Sequence, residues 1–76
     1  MELEEPCVLL GRRIAQLRKE KGISQDKLAW EGDMARSFIS EVERGLRNPT
    51  LTNICKLSNA LGVKTSELFS LVDEIQ

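Results

Sequence analysis

Apolar positions recur with a helical period along almost the whole chain, and no stretch of useful length alternates with the period of two that a strand requires. Leu10, Ile14 and Leu17 stand at i, i+4 and i+7, on one face of a helix from about Leu9 to Lys21. Gly22 supplies the stop, because glycine takes the left-handed conformation that closes a helix without steric cost. Ser24 is a ready N-cap for a short second helix that turns Leu28 and Ala29 inward and ends near Glu31 or Gly32. After the tight connection Gly32-Asp33-Met34, a third helix spans about Ala35 to Arg44 with Ile39 and Val42 as its buried pair, and Gly45 stops it. Pro49 disfavours helix at Asn48, so a fourth helix starts after Thr50 and presents Leu51, Ile54, Leu57 and Leu61 before Gly62 closes it.

The last apolar run is denser. A fifth helix from about Thr65 to Asp73 carries Leu68, Phe69, Leu71 and Val72, with Ile75 just beyond, which is more apolar surface than so small a core hides. The excess points to a second copy of the chain, with Leu68, Leu71, Val72 and Ile75 as the expected dimer interface. Residues 1–8 hold Pro6 and three glutamates and are expected to form an N-terminal arm or a short extra turn, leaving residues 9–76 as the single domain. Trp30, the only tryptophan, is expected to pack under the first helix or the arm, or else to meet a partner.

Composition narrows the function classes. A 76-residue chain with 41% hydrophobic content buries only about 60% of the surface its unfolded form exposes, too little to enclose a substrate with its catalytic groups. There is no histidine or tyrosine, no phosphate-cradling glycine loop, and no base beside either cysteine, so neither catalysis, a small-molecule substrate, a cofactor nor a metal is expected. Cys7 and Cys55 are too few and too far apart for a disulfide scaffold or a metal site, and read as reduced thiols of an intracellular protein. The opening Met1-Glu2-Leu3-Glu4-Glu5-Pro6 is acidic where a leader is basic, and no apolar run approaches membrane-spanning length, so a cytoplasmic location with no membrane contact is expected.

The net charge of −1 counts at first against a nucleic-acid partner, but the charges are unevenly placed. Residues 1–10 carry −3 and residues 22–35 carry −2, whereas residues 11–21 carry +4 through Arg12, Arg13, Arg18, Lys19 and Lys21 against Glu20. Residues 36–50 add +1. A basic middle within a near-neutral chain can attract phosphate on one face.

Two short helices joined by a tight turn, the second opening on Ala35-Arg36-Ser37, have the layout of a helix-turn-helix, whose second helix enters the major groove. Gly22-Ile23-Ser24-Gln25, Leu28-Ala29, Ser37-Phe38-Ile39-Ser40, Val42-Glu43-Arg44-Gly45, Asn48-Pro49-Thr50-Leu51 and Leu57-Ser58-Asn59-Ala60-Leu61-Gly62-Val63 resemble the Cro/CI-type (XRE-like) family of phage repressors and bacterial regulators. The resemblance covers about Leu9 to Leu71. It implies an all-α, five-helix, lambda-repressor-like domain that binds double-stranded DNA as a homodimer and regulates transcription, as repressor or activator. The small size and Arg36-Ser37-Phe38 look most like the controller proteins of restriction-modification systems, which act on their own gene and the endonuclease gene. The same pattern also fits a phage Cro-like or general repressor, and the fold would equally serve an antitoxin or adaptor.

Roles follow from chemistry. Arg36 presents a fork of donors suited to the O6 and N7 acceptors of guanine, and Ser37, Ser40 and Glu41 lie near the same face as base-reading candidates. Glu41 has the alternative of pairing with an arginine. Gln25, at the start of the second helix, suits a phosphate oxygen, the job this glutamine has in the resembling family. Arg44, Arg47 and Asn48 follow the recognition helix as backbone contacts, and Phe38, out of phase with Ile39 and Val42, either flanks the backbone or packs in the core. The resemblance further implies a structural ion pair between Arg18 and Glu43. Two positions depart from the family pattern: Asp33 stands where glycine is usual in the turn, and Ala35 replaces a hydroxyl cap.

Overall fold

The computed structural model describes residues 4–74, which form six helices and no strand. Met1 to Leu3 and the interface candidate Ile75 lie outside the described residues. The first helix, α1 (Glu4–Glu20), begins five residues before the hydrophobic period does. Pro6 does not oppose this, because the first four N–H groups of a helix have no intrahelical acceptor and a missing one there costs nothing. Acidic residues also suit the positive end of the helix dipole, as Arg18 and Lys19 suit the negative end. Of the two expectations for residues 1–8, the extra turn is thus the one that residues 4–8 fulfil.

The next three helices fall where capping chemistry puts them. In α2 (Gln25–Gly32) the Ser24 hydroxyl accepts from the Lys27 N–H at 3.0 Å, and in α4 (Leu51–Leu61) Thr50 accepts from the Asn53 N–H at 3.1 Å. Between them α3 (Arg36–Glu43) starts from Ala35, which supplies no side-chain cap. Asp33 closes α2 at φ 54° and ψ 51°, so the turn does require left-handed geometry, and aspartate adopts it in place of glycine.

The last expected helix is two. Single turns α5 (Thr65–Leu68) and α6 (Ser70–Asp73) are separated at Phe69, whose φ of −100° and ψ of 7° leave helical geometry. The break sends Leu68 into the core at 0% exposure while leaving Leu71 and Val72 half-buried. Leu68 is therefore no interface residue, because its own chain already encloses it.

One core joins all six helices. Leu10, Ile14 and Leu17 of α1 meet Leu28 of α2, Ile39 and Val42 of α3, Leu57 and Leu61 of α4, and Leu68 of α5. The closest approach is between α1 and α3 at Gly11: a Cβ built there would collide with the Val42 carbonyl oxygen and lie 3.0 Å from that of Glu43. Trp30 is the exception to the inward pattern, 84% exposed on the outer face of α2, so it packs neither under α1 nor under the N-terminal turn.

Candidate nucleic-acid interface

Successive residues of a helix are rotated by about 100°, which sorts α3 into two faces. Ile39 and Val42 point into the core, with Phe38 partly buried beside them. Arg36, Ser37, Ser40 and Arg44 occupy the opposite face, exposed except for the half-buried Ser40. Glu41 and Glu43 stand on the two flanks of that outer face. Two carboxylates beside a phosphate surface would normally repel it, so their partners decide what the face can bind.

Both glutamates are neutralised by arginine. The Arg18 guanidinium donates from Nε to Glu43 Oε2 at 2.7 Å and from Nη2 to Oε1 at 3.1 Å, while its Nη1 donates to the Ile23 carbonyl at 2.9 Å. The side chains are only 12% and 7% exposed. The hydrogen bonding it donates to Glu43 holds the Arg18 guanidinium above its ordinary pKa, against the opposing effect of burial. On the other flank, Arg47 Nε donates to Glu41 Oε1 at 2.6 Å, and the Arg47 guanidinium lies 5.5 Å from the centroid of the Phe38 ring. Glu41 thus takes the arginine-paired alternative, and Phe38 is half-buried against the core with its ring as a platform for Arg47.

The remaining candidates separate by location. Arg36 Nε pairs with Asp26 Oδ1 of α2 at 3.1 Å, but the two side chains are 64% and 76% exposed. Such a surface pair is worth at most about 1 kcal/mol, so Arg36 is free to exchange it for a base. Asp26 escaped notice because nothing in the spacing links it to Arg36 across the turn. Gln25 Nε2 donates to Glu43 Oε1 at 3.0 Å, which ties the start of α2 to the edge of α3. Asn48 is not gathered with these residues; it lines a shallow apolar groove with Pro6, Leu10, Ile54 and Phe69. The basic stretch of α1 is also partly committed: Arg18 is spent on Glu43, and Arg13 Nε donates to the Glu67 carbonyl of α5 at 3.0 Å, leaving Arg12, Lys19 and Lys21 exposed. Among the described residues, no group of three or more metal-ligating side chains comes together, and no helix is long and apolar enough to cross a membrane.

The sequence of elements from Ile14 through Leu68 matches the family model described as Helix-turn-helix over residues 14–68. The chain belongs to this helix-turn-helix family. The family is one of DNA-binding transcription regulators, whose members bind double-stranded DNA. Among its relatives, control protein C.BamHI of Bacillus amyloliquefaciens is 48% identical over 62 residues, covering 80% of this chain and 76% of the relative. The crystal structure of the restriction-modification controller protein C.AhdI from Aeromonas hydrophila is similar with a TM-score of 0.82 at 46% identity, over 83% of this chain and 96% of that one. The biofilm master regulator SinR, solved in complex with DNA, is similar with a TM-score of 0.76 at 40% identity, over 80% and 98% of the two chains. The helix-turn-helix chain described here is thus an all-helical transcription regulator closely related to restriction-modification controllers.

Proposed function

We propose that this regulator is a restriction-modification controller that binds paired operator half-sites as a homodimer and sets expression of its own gene and of the endonuclease gene. The observation that carries the reading is the outer face of α3, where Arg36, Ser37, Ser40 and Arg44 face away from the core and both flanking glutamates are arginine-paired. Arg36 reads guanine, and Ser37 and Ser40 donate or accept at neighbouring base edges. Gln25, Arg44 and Arg47 hold phosphates, which fix register and carry no sequence information. Glu41 keeps Arg47 at the groove edge instead of reading cytosine.

One such face gives few base contacts, and a two-fold dimer reading half-sites about one helical turn apart doubles them. The half-buried Leu71 and Val72 of α6 are apolar side chains available for that contact. Likeness to C.BamHI and C.AhdI, both named as control or controller proteins, supports the narrower biological role.

A duplex carrying the DNA upstream of the chain's own gene, titrated against random duplex at fixed salt, tests the reading by fluorescence anisotropy. Strong preference for the upstream duplex, lost in Arg36→Ala with helicity intact, is expected. Equal affinity for both duplexes refutes it. Sedimentation at tens of micromolar should give a dimer for the wild type and a monomer for Leu71→Asp.

A further inference from the structure

Glu43 makes one more hydrogen bond than an ion pair needs. Its Oε2 accepts from Arg18 Nε, while Oε1 accepts both from Arg18 Nη2 at 3.1 Å and from Gln25 Nε2 at 3.0 Å. Both oxygens of this carboxylate are acceptors. At 7% side-chain exposure, little water competes for its lone pairs. The Gln25 amide is therefore held in one of its two orientations: nitrogen toward Glu43, with one N–H consumed and one N–H left over. Among the described residues no acceptor takes that second hydrogen.

Gln25 is the first residue of α2, and Ser24 before it already satisfies the Lys27 N–H. A glutamine amide that rotates freely presents its oxygen as readily as its nitrogen, and a carbonyl oxygen repels a phosphate. Fixing the amide in advance removes that competing orientation and the entropy lost in ordering it on binding.

We propose that Glu43 is a positioning residue for DNA binding, which acts through Gln25 by locking its amide so that an N–H, and not the carbonyl oxygen, meets a phosphate oxygen. This rests on the DNA-binding reading above. It also gives the Arg18–Glu43 pair a second role, since Arg18 aims Glu43 while Glu43 aims Gln25.

A double-mutant cycle on the full chain with the upstream duplex tests it. Glu43→Gln keeps the shape but can donate as well as accept, so it releases the Gln25 amide; Gln25→Met removes the amide altogether. Glu43→Gln should weaken binding about three- to tenfold in the wild-type background, the cost of ordering one side chain, and less than about twofold in the Gln25→Met background. An equal loss in both backgrounds means that Glu43 serves only the fold, and overturns the proposal. If Glu43→Gln does not fold, nitrogen-15 spectra of the wild type decide. One Gln25 side-chain proton should be slow to exchange in the free protein, and the other should shift on adding duplex. Two fast-exchanging amide protons, neither of which shifts on adding duplex, overturn the proposal. A restrained amide in a protein that binds no duplex would instead count against the DNA-binding reading.

Discussion

Arg18→Ala should cost the fold roughly 3–5 kcal/mol, because it strands a carboxylate that the structure has removed from water. The wild-type guanidinium makes two hydrogen bonds to Glu43 and a third to the Ile23 carbonyl, and Glu43 is 7% exposed, so solvent replaces little of what is lost. Only the Gln25 amide would remain on Glu43. A domain of 76 residues has about 4–11 kcal/mol of stability at roughly 0.05–0.15 kcal/mol per residue, so one substitution removes about a quarter of it or more. The melting temperature should fall by at least about 12 °C. Circular dichroism is the suitable probe, since Trp30 is 84% exposed and its fluorescence would change little on unfolding. The cause is tested by Arg18→Met combined with Glu43→Leu, which leaves no orphaned charge and should recover much of the loss. If the double variant is no more stable than Arg18→Ala, or if Arg18→Ala melts within a few degrees of wild type, the argument from the stranded carboxylate is wrong. The pH dependence has a definite sign. Because the folded-state pKa of Arg18 is raised, its stabilising contribution is complete below the unfolded value and is lost only as pH rises through the folded one. Arg18 titration should therefore give no slope in stability between about pH 6 and pH 10.

Gly11→Ala should destabilise by about 2–3 kcal/mol in urea unfolding, because the new methyl meets the α3 backbone at Val42 and Glu43, which cannot yield as a side-chain tip can. Ala35→Ser should stabilise by about 1 kcal/mol, a melting shift of about 4–8 °C, by supplying the cap that α3 lacks. Asp33→Gly should also raise the melting temperature, by relieving the left-handed aspartate at φ 54°. Arg47→Ala should lower the slope of log affinity against log salt by about one and leave the ranking of operator sequences unchanged, as the phosphate contact proposed for Arg47 requires. A changed ranking would return Glu41, its partner, to the base-reading set.

Local signals accounted for the middle of the molecule. Ser24 and Thr50 cap as hydroxyl chemistry predicts, Gly22 and Gly62 end their helices at positive φ, and the Arg18–Glu43 pair forms as the family resemblance implies. The ends were harder to read, for reasons visible in particular residues. Pro6 looks like a helix breaker until its position in the first turn is known, where it breaks nothing. Leu68, Phe69, Leu71 and Val72 fit one amphipathic helix as well as two single turns, and only the break at Phe69 decides that Leu68 is core. The position of Arg36, Ser37 and Ser40 on the outer face of α3 follows from the phase of that helix alone. The partners Glu41–Arg47, Arg36–Asp26 and Gln25–Glu43 connect different elements, and no periodicity within one helix encodes them.

The two-sided construction of α3 also bears on how such a regulator changes over time. What stabilises the helix, Ile39 and Val42, sits on the side away from Arg36, Ser37 and Arg44, with Glu43 on the flank between; the side chains of those three are exposed, and among the described residues the ion pair they make is the solvated one of Arg36 to Asp26. Exchanging exposed residues of that kind alters stability by no more than about 0.5 kcal/mol. On the proposed reading of this face, new operator preferences are therefore accessible one substitution at a time, without a compensating change in the core. A combinatorial library at positions 36, 37, 40 and 44 should remain largely folded, which makes the helix a retargetable scaffold and lets protein and operator drift together.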